Sequence, residues 1–348
     1  MKVTPTYLVL IIGFTLLSFA FSVRISRPIT NPYRLTTFYD TLQNPPTEEG
    51  FELGRSLFYE NLLSADSSIN CSSCHLSVSG FTHVDHTLSH GVNDRIGKRN
   101  SIALMNLIFK PHYMWDGAAN NLEAQPLIPL SAHAEMDLPL EQAIKRLNKH
   151  PGYRKLFHRV FETDSINTSV FLKAFAQFTM QLNTFNAKYD RVKQGLAHFS
   201  DMEQKGYNIF KKACTSCHQE PLFTNNHFES NGLKIDPVLQ DSGRVVISKK
   251  ISDVGKFSVP TLRNIEYTFP YMHDGRFEHL KQVIEHYRSG NAYRNSGDKR
   301  LKYAEKLTSN QKIELIAFLK TLTDKEFLFN PEYRKPLPTY NLKSVLNK

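Results

Sequence analysis

All four cysteines of this chain lie in two copies of one short motif, Cys-x-x-Cys-His. The first copy spans Cys71–His75 and the second spans Cys214–His218. In c-type haem sites, the two cysteines of such a motif form thioether bonds to the porphyrin and the histidine ligates the iron. The sequence therefore predicts two haem c groups, with thioether bonds from Cys71, Cys74, Cys214 and Cys217 and axial ligation by His75 and His218.

Other uses of paired cysteines stay open at this point. Zinc sites commonly place their CxxC pairs about 15 to 20 residues apart, whereas most of a domain separates Cys74 from Cys214. A redox-active CxxC pair or a structural disulfide suits an exported protein, but neither explains a histidine directly after both pairs. The haem interpretation accounts for every residue of both motifs.

An apolar segment near the amino terminus predicts export. Residues 8–23 are apolar apart from three Ser or Thr residues, and they lie between Lys2 and Arg24. Because this arrangement is typical of signal peptides, residues 1–23 are predicted to be a signal peptide. No clean small-residue cleavage site follows, so an uncleaved membrane anchor is the alternative. We expect the remainder to be soluble and to lie in a bacterial periplasm.

The overall charge does not by itself identify a partner. The 348 residues include 43 Lys and Arg against 33 Asp and Glu, a formal net charge of +10. These positive residues form no long basic run, so we predict no nucleic-acid partner. A basic surface can also steer an acidic protein towards the chain.

The chain repeats itself around the two motifs. Gly54–Phe58 precedes the first motif, and Gly206–Phe210 precedes the second with the same glycine and phenylalanine spacing. Asn106–Gly117 follows the first motif and Asn264–Gly275 follows the second, with matching Asn, Met, Asp and Gly positions. Repeats of this kind indicate duplicated structural units. The predicted fold is therefore mainly α, with two fused cytochrome c-like domains that each bind one haem.

Each half is predicted to close with an amphipathic helix, for which Thr168 and Thr308 are candidate amino-terminal caps. The apolar positions are Phe171, Phe175, Phe178, Leu182 and Phe185 in the first half and Ile313, Ile316, Leu319 and Leu322 in the second. The predicted organisation is an extended lead-in segment over 24–50, a first domain over 51–195, a second domain over 196–328 and a tail over 329–348.

These motifs together resemble the bacterial diheme cytochrome c peroxidases and their relative MauG. Besides the two CxxCH motifs, the resemblance rests on Lys98–Asn100, Trp115–Gly117, Leu122–Gln125, Glu135–Met136, Pro260–Asn264 and Tyr271–Gly275. It implies that the first half carries the peroxide site, with Glu135 as acid and base and Gln125 beside it. It also implies that Trp115 relays electrons between the haems and that Asn100, Thr268 and Pro270 hold a calcium ion.

The resemblance leaves the sixth ligand of each haem open. On the helix that follows the second motif, diheme peroxidases have a methionine ligand and MauG has a tyrosine, and this chain has Tyr287. Met272 is the rival ligand, and Tyr287 also fits an apolar helix face. In the first half, His90 is two residues away from the position of the family's resting ligand. We therefore expect an open first haem, with His90 as the alternative.

The leading functional hypothesis is a periplasmic cytochrome c peroxidase. It would reduce hydrogen peroxide to water with electrons from a small redox protein, either a cytochrome c or a cupredoxin. The alternatives are a MauG-like oxidase that acts on a protein or organic substrate and a diheme cytochrome that only transfers electrons. A pure electron carrier needs no proton-handling residues, which weighs against the last alternative. Family resemblance also suggests a homodimer.

Overall fold

The structure of the protein is a computed structural model that describes residues 25–336. The predicted signal peptide lies outside the described residues, as do the last twelve residues of the chain. None of the helices within 25–336 is long and apolar enough to cross a membrane.

The described residues are mainly helical, which confirms the mainly α part of the predicted fold. The helices of the first half are α1 (Glu48–Phe58), α2 (Cys71–Cys74), α3 (Leu127–Ser131), α4 (Leu140–Lys149), α5 (Pro151–Phe161), α6 (Thr168–Thr179) and α7 (Lys188–Lys193). Those of the second half are α8 (Asp201–Ala213), α9 (Val245–Ser248), α10 (Leu280–Arg288), α11 (Asn291–Ser296), α12 (Ser309–Lys320) and α13 (Lys325–Leu328). Two short strands, β1 (Phe228–Glu229) and β2 (Phe257–Ser258), pair antiparallel. Short 3₁₀ helices span Asn61–Leu63, Ser77–Ser79, Val92–Asp94, Leu107–Phe109, Ile251–Asp253, Lys299–Lys306 and Pro331–Tyr333.

Each half contains one pair of closely packed helices, and a glycine where the two helices cross allows their backbones to approach. Helix α1 packs on α6, and α8 packs on α12. A Cβ at Gly54 would lie 2.3 Å from the carbonyl oxygen of Ala174, and one at Gly206 would lie 1.9 Å from that of Glu314. No other residue fits such a close approach of two helix backbones. The repeated glycine therefore has the same structural role in both halves.

The turns that follow the motifs are also duplicated. Asn106 and Asn264 both adopt left-handed backbone conformations, with φ of 55° and 57°. The Tyr113 hydroxyl donates to the carbonyl of Leu107 at 3.1 Å, and the Tyr271 hydroxyl donates to that of Ile265 at 2.9 Å. The sequence repeat is thus a repeat of local structure, down to single hydrogen bonds.

Both predicted closing helices are present, but α6 ends at Thr179 and α12 ends at Lys320, so Leu182, Phe185 and Leu322 lie beyond the helices on which they were predicted. All five predicted apolar residues of the first half are buried, but Ile313 is 54% exposed. The buried face of α12 instead carries Leu315, Phe318 and Leu319, because this face meets α8. Thr308 caps α12 as predicted, whereas α6 is capped by Asn167. The Asn167 side chain accepts from the amide of Val170 and leaves Thr168 inside the first turn.

Chain segments cross between the halves. Tyr189, which precedes the predicted boundary at residue 195, packs in the aromatic core of the second half. Phe327, Leu328 and Tyr333, from the end of the chain, pack in the core of the first half together with Tyr39 of the lead-in segment. The predicted domain boundaries stay predictions, because residues near the end of each half pack in the core of the other half.

Candidate haem and peroxide site

The first CxxCH motif lies in the wall of a large cavity. This cavity holds about 1340 Å³ of empty space, part of it open to solvent. Its wall includes the two motif cysteines, the motif histidine and three polar residues from elsewhere in the first half: Cys71, Cys74, His75, His90, Gln125 and Glu135.

The second motif lies in the wall of a separate cavity of about 1630 Å³, also partly open to solvent. Its wall includes Cys214, Cys217 and His218, together with both candidate sixth ligands, Met272 and Tyr287. Because the two cysteine pairs line different cavities, they do not form one four-cysteine zinc site.

A backbone carbonyl orients each motif histidine. His75 Nδ1 donates to the carbonyl oxygen of Phe81 at 2.7 Å, and His218 Nδ1 donates to that of Phe223 at 3.0 Å. Burial lowers the pKa of His75 to about 4 and lowers that of His218 as well. Each imidazole is therefore neutral, with Nε2 left as the free lone pair, which is the form that ligates iron.

The cysteines do not have the character of redox-active thiols. Burial raises the pKa of Cys71 and that of Cys214 to about 12. Redox-active cysteines usually have lowered pKa values, because the thiolate is the reactive form. All four cysteines are free rather than disulfide-bonded. Two large cavities, each with a paired thiol and a neutral imidazole in its wall, fit covalently bound haem.

The structure brings Gln125 and Glu135 to the first cavity together. The Gln125 side-chain amide lies 3.7 Å from the sulfur of Met114. Burial raises the pKa of Glu135, and the nearby Arg99 offsets part of that rise. Within residues 25–336, no side chain hydrogen-bonds to the Glu135 carboxylate, so its oxygens remain available to a molecule in the cavity.

A glycine allows the chain around Glu135 to take this position. The amide of Val92 donates to the carbonyl of Glu135 at 2.9 Å, which ties this segment to the loop that carries His90. A Cβ at Gly91 would lie 2.5 Å from that same carbonyl oxygen and 2.3 Å from the carbonyl of Ala134. A side chain at position 91 would therefore displace the backbone of Glu135.

Trp115 borders both cavities. Its side chain is 9% exposed, and its indole nitrogen donates to the carbonyl of Asn100 at 2.9 Å. The next residue, Asp116, pairs with Arg99 at 2.8 Å, and Arg99 also pairs with Asp241 at 2.5 Å. No local sequence signal marks Asp241, which lies 142 residues from Arg99 along the chain. This ion-pair network supports the turn that holds Trp115 between the two cavities.

Tyr287 and Met272 face the same cavity and share a neighbour. The Asn231 amide lies 3.3 Å from the sulfur of Met272. Burial raises the pKa of Tyr287, with a further contribution from Cys214, and the Asn231 side chain offsets part of that rise. Tyr287 as the sixth ligand of the second haem stays a prediction, with Met272 as its rival.

His90 lies in the wall of the first cavity and belongs to a stack of three histidines. The ring centroids of His83 and His86 are 4.7 Å apart, and those of His86 and His90 are 4.1 Å apart. The spacing of histidines in this loop was visible in the sequence, but their stacking depends on the fold of the loop. His90 as a resting ligand also stays a prediction.

The three predicted calcium-site residues, Asn100, Thr268 and Pro270, all line the second cavity. The Asn100 side-chain amide donates to the carbonyl of Thr87 at 3.0 Å. Within residues 25–336, no group of three or more His, Cys, Asp or Glu side chains is placed to hold a metal ion. The predicted calcium ligands are amide and carbonyl oxygens, which do not belong to these four side-chain types. Calcium binding therefore stays a prediction.

Comparisons with known proteins agree with this geometry. The family model for di-haem cytochrome c peroxidases matches residues 48–198. The cytochrome c551 peroxidase of Nitrosomonas europaea is 30% identical over 298 residues, which cover 84% of each chain. The methylamine utilization protein MauG of Methylophilus methylotrophus is 32% identical over 286 residues, 81% of this chain and 84% of the relative.

A solved structure is similar over almost its whole length. The crystal structure of a MauG-like protein associated with microbial copper homeostasis has a TM-score of 0.80 and 30% sequence identity, and the match covers 89% of this chain and 99% of that chain. The family model matches the first half, whereas the two relatives and the solved structure match 81–89% of the chain and therefore span both halves. The chain therefore belongs to the family of di-haem cytochrome c peroxidases and MauG proteins.

Proposed function

We propose that this protein is a periplasmic peroxidase that reduces hydrogen peroxide to water with electrons from a small redox protein. The observation that carries the proposal is the placement of Gln125 and Glu135 in the cavity of the first motif. The reaction consumes one peroxide, two electrons and two protons and yields two waters. The haem held by Cys71, Cys74 and His75 would supply an iron that binds peroxide and exchanges electrons.

Glu135 has the properties of the proton-handling group. Its carboxylate is free of hydrogen bonds from residues 25–336, and burial raises its pKa. It would accept the proton of the inner peroxide oxygen and return it to the outer oxygen as the O–O bond breaks, so that the outer oxygen leaves as water. The Gln125 amide would donate a hydrogen bond to the same oxygens.

Trp115 supports electron transfer between the two sites. It is the only tryptophan in the chain and borders both cavities. We propose that electrons arrive at the site of the second motif and pass by Trp115 to the first. Replacing Trp115 by Phe keeps an aromatic ring there, so it is the mildest test of this role.

The proposal is tested by mixing the purified protein, with both haems oxidised, with peroxide and a reduced single-haem cytochrome c in a stopped-flow instrument. Rapid oxidation of two cytochromes per peroxide is the expected result. The same rapid oxidation when peroxide is added to the oxidised protein before the cytochrome would show that no prior reduction is needed. The absence of peroxide-dependent cytochrome oxidation, with both haems attached, would contradict the proposal.

A second candidate function is favoured by one observation, the phenol of Tyr287 in the wall of the second cavity. An anionic oxygen ligand would stabilise ferric iron relative to a methionine ligand and would weaken the second haem as an electron store. This would suit a MauG-like oxidase, which uses peroxide to oxidise a protein or organic substrate. Slow oxidation of cytochrome c, together with a long-lived oxidised form of the protein after peroxide addition, would favour this function.

Tyr287→Phe tests the assignment on which this second function depends. If the tyrosine is a ligand, its loss changes the absorption and electron paramagnetic resonance spectra of the second haem. The matched variant Met272→Leu should leave those spectra unchanged. The opposite pattern would assign Met272 as the ligand and would remove the argument for the oxidase.

A further inference from the structure

The loop over residues 242–256, here called the aliphatic loop, belongs to the second half, and backbone hydrogen bonds join its two ends. The amide of Gly255 donates to the carbonyl of Ser242 at 2.9 Å, and the amide of Arg244 donates to that of Lys256 at 2.8 Å. Between these bonds lie α9 and the 3₁₀ turn at Ile251–Asp253. The loop is thus held in a defined shape by its own backbone.

Four large apolar side chains that are close together in the sequence are exposed on the aliphatic loop. Val246, Ile247, Ile251 and Val254 are 48%, 41%, 85% and 41% exposed. Single exposed apolar residues are common on protein surfaces, but a contiguous group is typical of an interaction site. Four exposed branched aliphatics lie within nine residues of this one loop.

Cationic side chains lie among these aliphatic residues. Lys249 and Lys250 are exposed and have no ion pair shorter than 4 Å with residues 25–336. The nearby carboxylate of Asp253 is paired with Lys256 at 3.1 Å. The tip of the loop therefore combines apolar surface with uncompensated positive charge.

The loop rests on the turn that holds Trp115. The Arg244 guanidinium donates to the carbonyl of Asp116 at 2.7 Å and to that of Gly117 at 3.2 Å. Directly after the loop, the amide of Ser258 donates to the carbonyl of Trp115 at 2.7 Å. A protein seated on the loop would therefore lie next to the turn whose tryptophan borders both cavities.

An open groove extends this surface towards the first half. Its lining includes Phe38, Pro111, His112, His227, Phe228 and Arg244, together with two asparagines and the carboxylates of Glu229 and Asp253. Phe38 is 57% exposed, and Arg244 lies over the ring of Phe228 at 4.3 Å. The carboxylate of Glu229 in this groove is paired with Arg300 at 2.7 Å. The groove and the aliphatic loop share Arg244 and Asp253, so the loop borders the groove, and together they present apolar side chains and positive charge.

We propose that this face docks an acidic redox protein, which delivers electrons one at a time to the site of the second motif. The proposal rests on the proposed peroxidase function, since that function requires such a donor. Apolar centres with charged rims are typical of protein interfaces, and charge complementarity speeds encounter. A second copy of this chain fits less well, because a two-fold interface centred here would place Lys249 and Lys250 against the same lysines.

The test compares donors and variants with the complete diheme protein. The probe is a reduced acidic cupredoxin, plastocyanin, and hydroquinone serves as a small uncharged reductant. Lys249→Glu/Lys250→Glu should lower kcat/KM for plastocyanin by about 10-fold or more at low salt and leave hydroquinone oxidation unchanged. Ile251→Ser should raise the KM for plastocyanin by up to about 10-fold. High salt should slow the wild-type reaction and shrink the difference between wild type and the charge variant.

Two control variants match these changes elsewhere on the surface. Lys145→Glu/Lys149→Glu makes the same charge change on α4, and Ile313→Ser removes an exposed isoleucine from α12. Both should oxidise plastocyanin at the wild-type rate. If the α4 variant is slowed as much as the loop variant, net charge rather than this face is responsible, and the docking proposal is overturned.

Binding measured without turnover separates this proposal from the proposed function. Oxidised plastocyanin should bind the wild-type protein at low salt and bind the Lys249→Glu/Lys250→Glu variant at least about 10-fold more weakly. Equal binding by both would overturn the docking face even if peroxidase activity is found. Failure of hydroquinone and plastocyanin oxidation, with binding intact, would instead contradict the peroxidase function.

Two further measurements test whether a membrane or a second copy of the chain binds this face instead. Vesicles of phosphatidylcholine and phosphatidylserine should not sediment the wild-type protein at physiological salt. Light scattering should give the same oligomeric state for wild type and Ile251→Ser. Vesicle binding lost in Ile251→Ser, or an oligomer dissociated by it, would assign the face to a membrane or to a second copy and would overturn the proposal.

Discussion

A fully buried ion pair joins the lead-in segment, α7 and the second half. The Arg263 guanidinium donates two hydrogen bonds to the Asp190 carboxylate, at 2.9 and 2.8 Å, and a third to the carbonyl of Pro221 at 2.9 Å. The Tyr33 hydroxyl donates to the same carboxylate at 2.6 Å. Neither charged side chain has any solvent exposure, so each depends on the other for its charge balance.

Asp190→Asn should therefore destabilise the fold strongly. The substitution keeps the side-chain volume but removes the negative charge and points an amide donor at the guanidinium. Breaking a buried pair from one side costs about 3 to 5 kcal/mol, because the remaining charge has no compensation. At about 2 °C per kcal/mol for a large domain, the melting temperature should fall by about 6 to 10 °C.

Circular dichroism of the haem-loaded protein during heating measures this effect. Asp190→Asn/Arg263→Met should be less destabilised than Asp190→Asn alone, since removing both charges leaves none unpaired. Glu285→Gln, which breaks an exposed pair with Arg288, is the control and should cost less than about 1 kcal/mol. A loss below about 1 kcal/mol in Asp190→Asn, or a double variant worse than the single one, would refute the reasoning.

The remaining predictions concern the first cavity. Because burial raises the pKa of Glu135, its carboxylate becomes protonated as pH falls through a value above 4.5. The rate constant for peroxide should therefore fall on the acid side of that value, and Glu135→Gln should remove this limb of the pH profile. Gly91→Ala should slow the reaction with peroxide by about 10- to 100-fold, because the added Cβ displaces Glu135. Gly97→Ala is the control and should not slow it, because the nearest atom is 3.4 Å from the added carbon. His90→Ala should leave the absorption and electron paramagnetic resonance spectra of the oxidised protein unchanged if the first iron is open.

Each of these three predictions can be contradicted by a specific result. A pH profile with the same acid limb in wild type and Glu135→Gln would assign that limb to another group. Equal rates in Gly91→Ala and Gly97→Ala would show that the backbone of Glu135 can move without loss. A change in the spectra of His90→Ala from six- to five-coordinate iron would identify His90 as the resting ligand.

Short-range patterns in the sequence predicted the duplicated features well. The repeated glycines Gly54 and Gly206 mark helix crossings, and Asn106 and Asn264 mark left-handed turns, because backbone geometry restricts the residues allowed there. Thr308 was identifiable as a cap from its position before an amphipathic segment. These signals are local, and each depends on a few neighbouring residues.

Features that depend on distant parts of the chain were not predictable in this way. The exposure of Ile313 follows from the direction in which α12 meets α8, and several orientations fit its apolar pattern. The pairing of Arg99 with Asp241, and that of Arg263 with Asp190, joins residues far apart in sequence. The placement of Gln125 and Glu135 in one cavity was expected only from the family resemblance.

The central claim is that Glu135 handles protons in the reaction of peroxide with the first site. The most direct measurement is the second-order rate constant for peroxide with the oxidised protein, compared between wild type and Glu135→Gln by stopped-flow absorbance. Loss of a general acid and base predicts a rate at least about 100-fold lower, with both haems still attached and the melting temperature unchanged. A rate constant in Glu135→Gln equal to that of the wild type would contradict the account.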